Sequence, residues 1–130
     1  MQYMAEQIKA ILANSKNQPI QKSPAWYQAR HSILTSSDVA TALECNTYSS
    51  SLELLKRKCT PLESIPLETT ASIIWGEKFE PVAKKVYEQI SNTEVVECKL
   101  VIHRKYSWLG ASPDGILRNG KLLEIKCPFH

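Results

Sequence analysis

The spacing of apolar and polar positions changes along this chain, and the change divides it into a helical part and a strand-rich part. From Tyr3 to Asn14, the residues Met4, Ile8, Ile11 and Leu12 recur at helical spacing and predict a first helix. Ser15–Ser23 is polar, contains Pro19, and reads as a loop. A short helix is expected from Pro24, a residue suited to a first helical turn, carrying Trp26, Tyr27 and Arg30. In Ile33-Leu34-Thr35-Ser36-Ser37-Asp38, hydroxyl residues precede the apolar pattern Val39, Ala42, Leu43, an N-cap signature for a third helix. A fourth opens near Ser50 or Ser51 and runs through Leu52, Leu54 and Leu55, until Pro61 and Pro66 break the chain. The longest amphipathic helix is expected over Ser72–Ile90, burying Phe79, Ala83, Val86, Tyr87 and Ile90, with Pro81 delaying its regular part to about Gly76. Beyond it, Val95–His103, Trp108–Ala111, Ile116–Leu117 and Leu122–Cys127 read as strands, and Asn119-Gly120 as a hairpin turn. Helices first and strands afterwards make an α+β order, with a mixed sheet following the N-terminal helices.

Composition narrows the class without naming a function. A chain of 130 residues has room for one domain with a real core. It has no apolar run of membrane-spanning length and no secretion-signal pattern, so a soluble, intracellular protein without a membrane partner is expected. Cys45, Cys59, Cys98 and Cys127 form no CxxC pair, which argues against a zinc knuckle or redox motif and for reduced thiols. The net charge of +3 permits nucleic-acid binding but does not argue for it. Lys56-Arg57-Lys58, Lys84-Lys85 and Arg104-Lys105 read most simply as solvated faces.

The chemistry concentrates near the C-terminus, in Ser112-Pro113-Asp114-Gly115 and Glu124-Ile125-Lys126. Strand alternation puts Glu124 and Lys126 on one face and Ile125 on the other. A two-residue turn at Asn119-Gly120 would leave Asp114 and Glu124 on opposite faces. A three-residue loop, Arg118-Asn119-Gly120 with Gly120 left-handed, pairs Leu117 with Lys121, sets Asp114 opposite Glu124 and Ser112 opposite Lys126. The second register is expected, because it assembles a site. Two adjacent carboxylates repel unless a cation lies between them, and hard oxygen donors suit Mg²⁺ or Mn²⁺. The Ile125 carbonyl is a candidate further ligand, and Lys126 can stabilise charge developing on a phosphoryl oxygen. Acids, metal and lysine together read as phosphodiester hydrolysis by activated water. The plainer alternative is a turn-ending Asp114 beside a surface Glu124–Lys126 ion pair.

Four blocks of the chain resemble the lambda-exonuclease-like, YqaJ-type viral recombinase family of the PD-(D/E)xK nuclease superfamily. They are Trp26-Tyr27-Gln28-Ala29-Arg30 running into Ile33-Leu34-Thr35-Ser36-Ser37; Trp75-Gly76-Glu77-Lys78-Phe79-Glu80; Trp108–Gly115; and Leu123-Glu124-Ile125-Lys126-Cys127-Pro128. The resemblance implies an α/β/α three-layer restriction-endonuclease-like core over 24–130, with 1–23 as an N-terminal helix and linker. It implies a Mg²⁺-dependent exonuclease acting 5′→3′ on double-stranded DNA ends in viral or mobile-element recombination, replication or repair. A single-strand annealing protein and further copies of the chain are the other partners it brings to mind. By position, Asp114 and Glu124 match the metal ligands, Lys126 the catalytic lysine, and Glu80 an assisting helix acid. Arg30, Ser37 and Ser112 match residues that grip a 5′-phosphate. A helix start at Ser37 would favour an anion independently. Trp26, Trp75 and Trp108 are expected as core or supporting residues rather than stacking platforms.

The sequence stops at Pro128-Phe129-His130, directly after an expected strand, where family members continue. The expectation is a domain continued in a longer protein or a shortened form. Two rivals to the exonuclease follow: a non-catalytic DNA-binding relative, and an endonuclease of the same superfamily.

Overall fold

A computed structural model of the chain describes residues 2–66 and 69–129. The side chains of Tyr3 and Met4, and residue His130, lie outside the described residues. Helix α1 spans Gln2–Lys16, with Ile8, Ile11 and Leu12 half-buried as their spacing predicts. Helix α2, Pro24–His31, has proline in its first turn and is capped by Ser23, whose hydroxyl accepts the Trp26 N–H at 3.2 Å. Helix α3 is short, Val39–Ala42. Helix α4, Ser51–Cys59, opens with a reciprocal capping box between Ser50 and Glu53, and a 3₁₀ turn follows at Leu62–Ser64. Helix α5, Ala71–Ser91, is capped by Thr70 and closes at Asn92, whose φ of 48° is left-handed.

The chain forms two compact units, each assembled from separate stretches. One comprises 1–12, 67–98 and 113–130; the other comprises 13–66 and 99–112. In the second unit, β1 (Leu34–Thr35), β3 (Val101–Ile102) and β4 (Leu109–Ala111) form a mixed sheet in the order β1-β4-β3. Strand β1 runs parallel to β4, and β3 runs antiparallel to it. Leu100 and Thr35 are fully buried in this unit. Asn14 caps the sheet from α1, accepting the Ile102 N–H at 3.1 Å and donating to the Ile102 carbonyl at 3.3 Å.

In the first unit, β2 (Val95–Val96), β5 (Gly115–Leu117) and β6 (Leu122–Leu123) form an antiparallel sheet in the order β2-β5-β6. Ile116, Val95 and Leu117 are buried there. The α+β class and the mixed sheet are as expected, but the strands divide between two small sheets. The apolar run Val95–His103 is therefore not one strand: β2 and β3 belong to different sheets, and residues 97–100 carry the chain from one unit to the other. The last strand ends at Leu123 rather than Cys127.

Helix α5 departs from expectation twice. It is regular from Ala71, with Pro81 inside it. Proline removes one helical donor at Pro81, yet the N-terminal half is held separately by the Thr70 cap and by Trp75 on Phe79, 4.2 Å between ring centres. Phe79, Ala83 and Tyr87 are half-buried, but Val86 and Ile90 are exposed. On this helix Glu88 accepts the Val95 N–H at 2.8 Å, and Lys84 pairs with Glu97 at 3.9 Å.

Gly115 shows how tightly hairpin β5–β6 is packed. A Cβ there would lie 2.2 Å from Val95 Cγ1, on a branched side chain that is itself buried. Gly115→Ala is expected to destabilise the chain by about 1–3 kcal/mol, since overpacking forces strand β2 to shift. A thermal melt equal to that of the unsubstituted chain would contradict this packing.

Candidate active site and phosphate cluster

Hairpin β5–β6 decides where the acids stand. Gly115 pairs with Leu123 and Ile116 with Leu122, and the Asp114 N–H donates to the Leu123 carbonyl at 3.1 Å, so that Asp114 and Glu124 lie just beyond the last paired residues. The Leu117 N–H donates to the Lys121 carbonyl at 2.8 Å, and the Gly120 N–H donates to the Leu117 carbonyl at 2.9 Å. Gly120 has φ 86°, so the three-residue loop Arg118-Asn119-Gly120 with left-handed glycine is the one that forms. Asn119 Oδ1 accepts the Lys121 N–H, which fixes the turn further. Arg118 pairs with Glu94 across the sheet, bracing the same end.

Past Leu123 the alternation persists without a strand. Leu122, Glu124 and Lys126 are exposed, whereas Leu123, Ile125 and Cys127 are half-buried. The Ile125 N–H donates to Asp114 Oδ2 at 2.6 Å, tying the first acid to the backbone between Glu124 and Lys126. Lys126 Nζ donates to Glu124 Oε1 at 2.5 Å, and both side chains are largely in solvent, so the pair itself contributes little stability.

The electrostatics single out Asp114. Burial pushes its carboxyl above the ordinary carboxylate range, and the charges of Glu124 and Glu80 push it further, against the Ile125 hydrogen bond and Lys126. Lys126 is raised, first by its hydrogen bond to Glu124 and then by the charges of Glu124, Asp114 and Glu80. Glu124, Glu80 and Lys126 therefore all act on Asp114 through their charges. Among the described residues, no three His, Cys, Asp or Glu side chains close into a metal-sized group. Asp114 and Glu124 are two mutually repelling carboxylates, a type of pair that would suit a divalent cation keeping much of its own water.

A stability prediction follows from the sign of the Asp114 shift. A carboxyl raised in the folded state favours the fold while protonated and loses that contribution as pH rises through its folded value. Asp114→Asn removes the charge and keeps an acceptor for the Ile125 N–H. Its melting temperature should match or exceed that of the unsubstituted chain at neutral pH. The gap should close as pH falls below the unfolded carboxyl value of about 4. A gap that widens toward acid would reverse the assignment.

In the second unit, Arg30, Ser37 and Ser112 are linked through one tryptophan. Trp26 is 9% exposed and donates from Nε1 to Ser112 Oγ at 3.1 Å. The Arg30 guanidinium lies 4.4 Å from the centre of the Trp26 ring, and its Nη2 donates to Ser37 Oγ at 3.4 Å. Burial lowers the Arg30 pKa, against the charge of Asp38, which raises it. Trp26 is thus a supporting residue, as expected. Trp75 and Trp108 are not core residues: they are 40% and 56% exposed.

One argument for this cluster does not hold. Ser37 is not a helix cap; Asp38 is, and α3 is only four residues long. Such a helix has little dipole to offer an anion. The carboxylate of Asp38 turns backwards instead, accepting from Thr35 N at 3.2 Å and Thr35 Oγ1 at 2.8 Å.

Lys58 and Asp38 hold this cluster through contacts that their spacing in the sequence does not show. Lys58, in a basic run that reads as solvated, spends its ammonium on the Arg30 carbonyl (2.9 Å), the Ile33 carbonyl (2.7 Å) and Asp38 (3.0 Å). Asp38 also pairs with Arg57 at 2.8 Å. Burial would raise the Asp38 carboxyl, but the hydrogen bonds from Thr35 and Lys58 outweigh it and hold it low. All four cysteines are free thiols.

Comparison with known proteins places this arrangement. The chain is 30% identical over 120 residues to an uncharacterized protein of Acanthamoeba polyphaga mimivirus, covering 84% of this chain and 22% of that protein. It is 33% identical over 105 residues to a protein of African swine fever virus, covering 77% of this chain and 29% of that protein. Among solved structures it resembles an alkaline exonuclease from Laribacter hongkongensis, with a TM-score of 0.64 and 32% identity over 82% of this chain. The same exonuclease in complex with dAMP gives a TM-score of 0.63 at 31% identity. The chain spans 54% of those exonuclease chains and less than a third of the two viral relatives. The model of the YqaJ-like viral recombinase domain matches residues 25–130, so that both the hairpin and the arginine–serine cluster fall inside it, and the chain belongs to that family.

Proposed function

We propose that this chain carries the catalytic portion of a DNA exonuclease, hydrolysing phosphodiesters from the 5′ end of double-stranded DNA with Mg²⁺ or Mn²⁺. The observation that carries the reading is that hairpin β5–β6 ties Asp114 to the backbone N–H of Ile125, between Glu124 and Lys126, which themselves pair. Support comes from the likeness to an alkaline exonuclease at 32% identity.

Asp114 and Glu124 are the side chains that would hold the cation, with the Ile125 carbonyl as a further oxygen. A divalent ion bound there supplies charge neutralisation at the phosphoryl group and makes water a better nucleophile at neutral pH. Asp114 is kept in place for this by the Ile125 N–H. Lys126, now resting on Glu124, offers its ammonium to the negative charge that builds on the phosphoryl oxygens. Glu80, on α5 and within the field of Asp114, orients the attacking water as a hydrogen-bond acceptor. Arg30 gives a terminal 5′-phosphate a charge-assisted, bidentate partner, and Ser37 and Ser112 add hydroxyl donors. The stack on Trp26 keeps the Arg30 fork in one orientation.

Recombination, replication or repair of viral or mobile-element DNA is the setting in which such an end-resecting activity would work. Among the described residues no helix is long and apolar enough to cross a membrane. The decisive assay incubates 5′-phosphorylated linear duplex and a covalently closed circle with the chain and Mg²⁺. Mononucleotides should appear from the linear substrate alone and stop on chelation. Nicking of the circle would make the activity an endonuclease; release indifferent to chelation would remove the metal from the scheme.

A further inference from the structure

The overall charge of +3 conceals a division between the two units. By sequence, the second unit holds nine lysines and arginines against four acids, a balance of +5. The first holds seven against nine, a balance of −2. Within the basic unit, the β3–β4 connection His103-Arg104-Lys105-Tyr106-Ser107-Trp108 contains two cations, three rings and no carboxylate, and every residue in it is exposed.

These rings are arranged in series rather than scattered. His103 stacks on Tyr106 with centroids 5.0 Å apart and planes 26° from parallel, and Tyr106 meets Trp108 at 5.6 Å. Lys105 Nζ lies 5.2 Å from the centre of the Tyr106 ring. The turn is held stiffly enough to present them: the backbone N–H groups of Lys105 and Tyr106 donate to His103 Nδ1 at 3.2 and 3.1 Å. The His103 N–H donates to the Leu109 carbonyl at 2.8 Å, and the Leu109 N–H to the Tyr106 carbonyl at 3.0 Å. The Trp108 carbonyl, in turn, accepts the Leu34 N–H at 2.7 Å, anchoring the base of the tryptophan in the sheet while 56% of the residue remains exposed.

We infer that this loop is a stacking platform for the bases of a DNA strand, with Tyr106 and Trp108 as the faces and Arg104 and Lys105 as phosphate contacts. Nucleobases present apolar faces on a polyanionic backbone, and an acid-free row of rings interleaved with cations matches both properties. An apolar protein partner would have no use for the two cations. The platform is also continuous with the arginine–serine cluster. Trp108 and Ser112 are four residues apart at either end of β4, about 13 Å of extended chain, roughly four stacked nucleotides at ~3.4 Å each. The inference rests on the reading of the chain as a DNA enzyme, but it concerns binding alone.

The test measures fluorescence anisotropy of a 3′-labelled, 5′-hydroxyl oligothymidylate of about 12 nucleotides in chelator. The missing 5′-phosphate leaves Arg30 out of the comparison, and the chelator prevents cleavage. Tyr106→Ala and Trp108→Ala should each weaken binding about tenfold. Tyr106→Phe and Trp108→Phe, which keep a ring, should stay near the unsubstituted affinity. Arg104→Ser with Lys105→Ser should flatten the dependence of log affinity on log salt by about 1–2. No binding by the unsubstituted chain, or alanine variants that bind as well as it does, would overturn the platform. Phenylalanine variants that fall as far as the alanine ones would do so too. Should the alanine variants lose their circular-dichroism signal, the serine pair decides, and an unchanged salt slope ends the proposal. None of these outcomes touches metal-dependent release from 5′-phosphorylated duplex, so the two readings fail separately.

Discussion

Lys126→Met should lower mononucleotide release from 5′-phosphorylated duplex by about 10²–10³-fold while leaving duplex binding nearly intact. The size follows from what the ammonium does: it is a preplaced positive charge where negative charge develops, and losing one such donor typically costs about 2.7–4 kcal/mol of transition-state stabilisation. Binding is spared because the ground-state phosphate gains at most one ordinary ionic contact from it, about one unit of salt slope. Stability is spared as well, since the pair Lys126 makes with Glu124 is solvent-exposed and screened. The methionine keeps the chain's length and apolar stem. Single-turnover rates with saturating protein would separate the effect on chemistry from any on binding. Release within threefold of the unsubstituted rate would take Lys126 out of the mechanism.

The second large effect is on the choice of DNA end. Arg30→Ala should abolish the advantage of a 5′-phosphorylated over a 5′-hydroxyl end, a loss of roughly 10–100-fold in KM-weighted rate for the phosphorylated substrate. A charge-assisted hydrogen-bonding pair contributes about 1.5–3 kcal/mol, which gives that range. The rate on a 5′-hydroxyl end should hardly change, because Arg30 has no phosphate to meet there. Arg30→Lys should recover only part of the advantage: a point charge replaces the charge but not the planar fork that stacks on Trp26. Phosphorylated and unphosphorylated ends degraded alike by the unsubstituted chain would sink the phosphate role of Arg30, Ser37 and Ser112 together.

The hairpin was legible because its determinants are local. Gly120 supplies the left-handed residue, and the Leu117–Lys121 closure sets the pairing of Ile116 with Leu122 and Gly115 with Leu123. The helix starts at Pro24 and Ser50 were legible for the same reason, since capping depends on residues three or four apart. Where the reading failed, distant groups decided. The run Val95–His103 has one period, and nothing within it marks where the chain leaves one sheet for another. Val86 and Ile90 lie on a stripe that amphipathicity alone would bury, yet both are exposed. The hydroxyl residues before Val39 marked a helix start, but the cap is Asp38, whose carboxylate is engaged by Thr35, Arg57 and Lys58, and the helix is only four residues long.

By itself, then, the sequence determined the α+β class and the turn chemistry, because each is fixed by spacing within a dozen residues. Tertiary structure alone decided that Trp26 joins Arg30 to Ser112, that Lys58 and Asp38 brace that cluster, and that Tyr106 and Trp108 stand in the open. It also decided that basic and acidic residues collect in different units. Those outcomes depend on stretches of chain up to 86 residues apart, as for Trp26 and Ser112, being brought within hydrogen-bonding distance. Spacing along the sequence cannot encode such closures, because they are set by which buried surfaces pack together.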